Sequence, residues 1–228
     1  MKTQQILPFA LFYGLLTTIH IAVSSFEIGQ LAYFTKPLLM LVLGVYFYQN
    51  TPKPLATLSK ITLFALFFSW LGDVFLLFQA YQDIYFLLGL VSFLIAHICY
   101  IFAFTQTPKS AKSSIKVVLP AAFGYFLLGA SALFFLKEGL GSMFIPVIVY
   151  SLTIVLMNIM AVNRYGKVAT SSFQWVLFGA IAFLISDSLI AVNKFYTPIA
   201  APSFWIMSTY CLGQFLIVIG ILKQLKEQ

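Results

Sequence analysis

Stretches of mostly apolar residues, each long enough to cross a bilayer, follow one another through almost the whole chain. A spanning helix needs about 20 such residues. On that ruler eight segments qualify, at roughly 6–24, 28–49, 60–79, 83–105, 116–136, 142–163, 173–194 and 202–222. Lys36-Pro37 interrupts the second, and Lys116 and Lys137 bound the fifth. Between them lie short loops marked by breakers such as Thr51-Pro52-Lys53-Pro54, Thr107-Pro108 and Thr197-Pro198. No soluble domain fits anywhere. The expected fold is all-α: one polytopic transmembrane helix bundle of about eight spans over residues 1–228. Lys2 ahead of an apolar run, with Ala22-Val23-Ser24 after it, also has the outline of a signal peptide. The run is long for one, so an uncut first span is expected.

Composition agrees. Of 228 residues 61% are hydrophobic and 8% charged, and the mean hydropathy is +0.99. A soluble domain carries about 25% charged residues. These values exclude a disordered tail, a nucleic-acid binder and a secreted disulfide scaffold. Cys99 and Cys211 both lie in apolar runs and read as packing residues. The formal charge of +7 reports topology before it reports an anionic partner. With eight spans, one side carries Lys2, Lys53, Lys60, Lys109, Lys112, Lys116, Arg164, Lys167, Lys223 and Lys226. The other carries Lys36, Lys137 and Lys194. The positive-inside rule then places both termini in the cytoplasm, in the inner or cell membrane if the protein is bacterial.

Two carboxyls need explaining. Asp73, in Ser69-Trp70-Leu71-Gly72-Asp73, and Asp187, in Ile185-Ser186-Asp187-Ser188, sit deep in the third and seventh segments. Inserting an ionisable group at such depth costs roughly 3 kcal/mol or more, and the group is a functional candidate by default. The bland alternative is a structural hydrogen bond or lysine pair. The two aspartates are 114 residues apart, half the chain length, which suggests a weak parallel repeat of four plus four helices. Each lies roughly 20 Å in from its cytoplasmic helix start, and Lys36 roughly 12 Å from the opposite face, at 1.5 Å per residue. All three therefore fall at similar height. Lys36 could neutralise part of the carboxylate charge or bind an anionic head group. Alternatively, helix two begins at Pro37 and leaves Lys36 at the interface. His97 and His20 are lone histidines without metal-ligand spacing. Tyr150, Asn158, Asn163, Asn193 and Tyr210 are uncharged groups of the kind that tie helices together. Arg164, at a helix end, is expected to snorkel. No Gly-x-Ser-x-Gly elbow, phosphate-cradling glycine loop or His-Glu-x-x-His occurs. That leaves carboxylates, with Lys36, His97 or tyrosines, as the catalytic inventory.

Thr35-Lys36-Pro37-Leu38, Ser69-x-x-Gly72-Asp73-x-x-Leu76-Leu77 and Gly89-x-x-x-Phe93-x-x-x-His97-x-x-Tyr100 occur in that order. They are followed by Tyr150 through Met157 with Ala161, and by Gly179-Ala180 through Phe183-x-x-Ser186-Asp187-Ser188-x-x-Ala191. Together, over about residues 35–195, they resemble the YhhN-type lysoplasmalogenase family of membrane proteins. The resemblance implies hydrolysis of the vinyl ether bond of a lysoplasmalogen to a fatty aldehyde and glycerophosphoethanolamine or glycerophosphocholine. Catalysis would fall to Asp73 and Asp187. Lys36, His97, Tyr100, Tyr150 and Asn193 would bind substrate. The implied partners are a lysophospholipid substrate and membrane lipids.

The chemistry suits these residues. Enol ethers hydrolyse by protonation of the vinyl carbon distal to oxygen, addition of water to the oxocarbenium ion, and collapse of the hemiacetal. One protonated carboxyl as acid and one carboxylate to stabilise the cation and activate water are sufficient, with no metal or cofactor required. The main rival is a multi-span transporter of a small solute or lipid that uses the aspartates as a proton relay. An intramembrane aspartyl protease fits less well, because Ser186 precedes Asp187 and Trp70 stands two residues before Gly72. A non-catalytic lipid-binding protein is a third alternative.

Overall fold

The computed structural model describes residues 3–26, 28–108 and 114–227. Lys2, Lys109 and Lys112 of the charge tally lie outside these. The described residues form eight α-helices: α1 (Thr3–Ser25), α2 (Ala32–Asn50), α3 (Thr57–Leu77), α4 (Asp83–Thr105), α5 (Ile115–Leu140), α6 (Phe144–Val162), α7 (Thr170–Phe195) and α8 (Pro202–Glu227). Single 3₁₀ turns, Gly29–Leu31 and Gly141–Met143, lead into α2 and α6. Each helix falls on one expected segment, but several run longer. α3 starts at Thr57, α5 ends at Leu140 and α8 ends at Glu227. Hydropathy measures the apolar stretch alone, whereas the i→i−4 hydrogen bonds continue through polar flanks.

By length and composition, six segments can cross a membrane. They are Ile6–Ser25, Thr57–Leu77, Asp83–Thr105, Ile115–Val162, Thr170–Phe195 and Pro202–Glu227. The fourth holds both α5 and α6. The chain is an integral, multi-pass membrane protein, and its surface agrees. Phe34, Phe64, Phe123, Leu127, Phe135 and Ile145 all point outward, which favours a lipid surrounding over water.

α8 forms the centre of the bundle and packs on α1, α2 and α7. Its Ile217, Val218, Ile219, Ile221 and Leu222 are fully buried. The closest helix pairs are α7 with α8 and α3 with α4. Between α7 and α8 the approach is permitted by Gly179 and Gly213. A Cβ on Gly213 would lie 2.9 Å from the Gly179 carbonyl oxygen. Small residues that let backbones meet are a main source of helix association in lipid. α5 is the exception. Only Leu136 and Leu140, near its C-terminal end, are buried, in a small cluster with Val147. It packs chiefly on α6, with a lighter contact to α7.

Candidate active site

Asp73 lies in α3 at 2% exposure. The Lys36 ammonium is 3.7 Å from its Oδ1, and the Tyr210 hydroxyl donates to its Oδ2 at 2.7 Å. Lys36 is therefore inside α2, one turn past its start, and its side chain reaches inward at 15% exposure. Pro37 does not begin the helix but sits within it, near enough to the N-terminus to cost little hydrogen bonding. That decides between the two readings of Lys36. Gly72 serves the same site: a Cβ there would come within 2.7 Å of the Phe93 ring. Its absence lets Phe93 of α4 lie against α3 beside the carboxyl.

Asp187, in α7, has a different setting. The Tyr150 hydroxyl of α6 donates to its Oδ2 at 2.6 Å. His97 Nε2 of α4 lies 3.4 Å from the same oxygen. His97 is fully buried, and among the described residues neither ring nitrogen has a hydrogen-bond partner. No Lys or Arg among the described residues pairs with Asp187.

Aromatic rings join the two settings. Phe183 stands edge-on to His97 at 4.8 Å and to Tyr210 at 5.4 Å between centroids, and Phe93 meets both Phe183 and Tyr210. The carboxyls thus belong to one cluster built from α2, α3, α4, α6, α7 and α8.

Two cavities border this cluster. The first, of about 340 Å³, lies between α4, α5, α6 and α7 and is nearly all apolar. Phe86, Phe93, Gly129 and Leu136 are among its walls, with Tyr150 and Asp187 as polar points. The second, of about 330 Å³, is more polar and is lined by His20, Gln79, Asn193, Ser203, Lys36 and Lys194. Leu76, Phe86 and Ile190 are walls of both. Each is at the small end of the range for ligand sites, about 300–1,000 Å³.

Of the residues singled out in the sequence, Asp73, Asp187, Lys36, His97 and Tyr150 come together. Asn193 lines the second cavity, where its Oδ1 accepts from the Ile199 N–H at 3.0 Å. Tyr100 lies elsewhere. It is fully buried and donates to Gln214 Oε1, whose amide in turn donates to Ser69 Oγ at 2.9 Å. It lines neither cavity. His20 Nδ1 is 2.8 Å from Thr35 Oγ1, so the histidine is hydrogen-bonded to α2. Tyr210 read only as a helix tie in the sequence, yet it is the hydroxyl that holds Asp73. The bond crosses 137 residues, and no local pattern announces it.

Arg164 corrects an expectation. It does not snorkel but is fully buried. Its two terminal nitrogens donate to Gln224 Oε1 at 2.9 Å and to Ser172 Oγ at 3.0 Å. The guanidinium fork matches two acceptors at once, and α8 runs far enough to cover it. Among the described residues, no three His, Cys, Asp or Glu side chains converge to hold a metal ion.

A multi-pass helical membrane protein with one buried carboxyl, Asp73, and a second, Asp187, in the wall of a mostly apolar cavity defines the class. The YhhN family's sequence profile matches residues 31–221, and this chain belongs to that family. It is similar to a lysoplasmalogenase of Bos taurus, TMEM86A, with 30% identity over 163 residues, covering 69% of this chain and 63% of the relative. A lysoplasmalogenase of Mycobacterium bovis is 30% identical over 139 residues, covering 59% and 50%. Lysoplasmalogenase TMEM86B of Sus scrofa is 32% identical over 136 residues, covering 60% and 54%. The chain thus spans between half and two thirds of these relatives' own lengths. No solved structure matches it.

Proposed function

We propose that this chain is a lysoplasmalogenase, a membrane hydrolase that cleaves the vinyl ether bond of a lysoplasmalogen. The observation that carries the proposal is Asp187 in the wall of a mostly apolar cavity, with Asp73 ion-paired to Lys36 across an aromatic cluster. The cavity between α4, α5, α6 and α7 takes the hydrocarbon chain. The pairing also divides the labour. Beside an ammonium, Asp73 serves as the carboxylate, so the proton for the vinyl carbon falls to Asp187. Protonation at the carbon distal to oxygen gives an oxocarbenium ion, whose charge Asp73 offsets. Water adds to the cationic carbon and gives up a proton to Asp73. The hemiacetal then collapses: its C–O bond to glycerol breaks as the glycerol oxygen takes the proton from Asp73, and the hydroxyl proton returns to Asp187 as the aldehyde forms, which restores both groups. Tyr150 holds Oδ2 of Asp187 and leaves Oδ1 for chemistry, and Tyr210 holds Oδ2 of Asp73, whose Oδ1 faces Lys36. The relatives' names are those of hydrolases, so the transporter reading is set aside.

Membrane orientation belongs to the same reading: eight spans with both termini in the cytoplasm, from the bias of Lys and Arg. A repeat of 114 residues is supported by partner identity. Asp73 is held from α2 and α8, and Asp187 from their counterparts α6 and α4. Lys36 and Tyr150 are 114 residues apart, as are the bonded Tyr100 and Gln214.

The test is incubation of purified protein with a lysoplasmalogen and with its saturated alkyl-ether analogue. Free aldehyde is expected from the first alone. Asp187→Asn and Asp73→Asn should each lower kcat by at least about a hundredfold, within the range for general acid-base groups. The double substitution should lose little more than the worse single, because members of a catalytic unit are not additive. A folded Asp187→Asn protein with near-parental turnover refutes the two-aspartate mechanism.

A further inference from the structure

The second cavity has a composition that the hydrolysis step does not use. It is polar and shares three walls with the apolar cavity, so the two adjoin as the head and tail of a single-chain lipid do. Two ammonium groups enter it, Lys36 from α2 and Lys194 from the last turn of α7. Lys36 is shared with Asp73, whereas Lys194 pairs with no carboxylate among the described residues. Its Nζ stands 5.1 Å over the ring of Phe86, a residue in both walls, and so lies at the junction of the cavities. Pro202 and Ser203 open α8 at the rim. The start of a 26-residue helix adds the positive end of its dipole. Asn193 contributes an amide NH₂, since its oxygen is already engaged. Among the described residues, no Asp or Glu lines it.

We infer that this cavity is a phosphodiester subsite in which Lys36 and Lys194 hold the head-group phosphate. This rests on the proposed function for the identity of the lipid. The phosphate is recognised by two cations and a helix start, the donor set that anions select. The enzyme should therefore discriminate against a substrate that lacks phosphate.

The experiment uses the full chain in micelles with three vinyl ethers: alkenyl-glycerophosphoethanolamine, alkenyl-glycerophosphocholine and the uncharged 1-alkenylglycerol. Alkenylglycerol should show a KM at least about tenfold above that of either phospholipid. Lys194→Met should lower the ratio of kcat/KM for phospholipid over alkenylglycerol by about tenfold, the effect of one charge-assisted hydrogen bond. Lys194→Arg should keep the ratio. An unchanged ratio in Lys194→Met overturns the subsite. If no vinyl ether releases aldehyde, the proposed function fails by itself. The subsite is then decided by equilibrium binding of the saturated alkyl-ether lysolipid against its alkylglycerol, with the same tenfold criterion. Inorganic phosphate that competes at the same concentration as the lysolipid would show a free-anion site and overturn the lipid assignment.

Discussion

The contact between Lys36 and Asp73 can be tested by its energetics. A unit charge pair at 3.7 Å in an effective dielectric of about 20 attracts by about 4–5 kcal/mol. Both side chains are largely out of water, at 15% and 3% exposure, so solvent screening removes little of this. Removing one partner of a buried pair typically costs about 3–5 kcal/mol, because the other charge stays behind without compensation. Lys36→Met and Asp73→Asn should each destabilise the protein by about that amount. The double variant should recover most of it, because no charge is left and Tyr210 can still donate to the asparagine oxygen. The coupling energy should be at least about 2 kcal/mol. Unfolding in mixed micelles, driven by a denaturing detergent and followed by far-UV circular dichroism and tryptophan fluorescence, measures it. Trp70, three residues before Asp73 on α3, reports locally. Turnover should stay lost in the double variant, which separates the structural cost from the chemical one. If the two effects add to within about 0.5 kcal/mol, as they do for independent sites, Lys36 and Asp73 do not interact and the assignment of Asp73 as the carboxylate falls with them.

Three further outcomes follow from the site and the bundle. Tyr150→Phe and Tyr210→Phe each delete one hydrogen bond to a carboxyl and should lower kcat by roughly tenfold with little change in KM, on the scale of about 1.5 kcal/mol for a bond to a charged group; steady-state kinetics with unchanged kcat would remove the tyrosines from the mechanism. Arg164→Lys should destabilise almost as much as Arg164→Met, by about 3 kcal/mol, because an ammonium does not reproduce the fork to Gln224 and Ser172; full rescue by lysine in the same unfolding assay would show that charge alone matters there. Reporter fusions after Gln228 and within the loop between α4 and α5 should both read cytoplasmic, and an opposite reading from either overturns the eight-span orientation.

How much was legible in advance depended on whether the physics was local. Each helix could be read from the chain because crossing lipid requires a continuous apolar run, a property of neighbours in sequence. Asp73 and Asp187 stood out for the same reason, since the cost of burying a carboxyl in such a run does not depend on what lies across from it. Their partners were another matter. Lys36 could have been at the interface or in the core, and only the path of α2 beside α3 decided it. Tyr210 and Tyr150 reach the carboxyls across 137 and 37 residues, on helices whose order in the bundle no periodicity records. Arg164 looked like a charge free to reach water. It is buried because the last turns of α8 close over it, and the length of α8 was underestimated by a hydropathy ruler that stops where lysines begin. Tyr100 shared a motif with His97, but three residues along a helix turn the side chain by about 60°. That angle, with the packing of α8 against α7, sends Tyr100 to Gln214 and leaves His97 beside Asp187. Composition and spacing therefore determined that the chain enters a membrane and which acids it carries there. The contacts between helices decided which groups hold each acid and where the cavities lie, because those depend on distances between residues far apart in the chain.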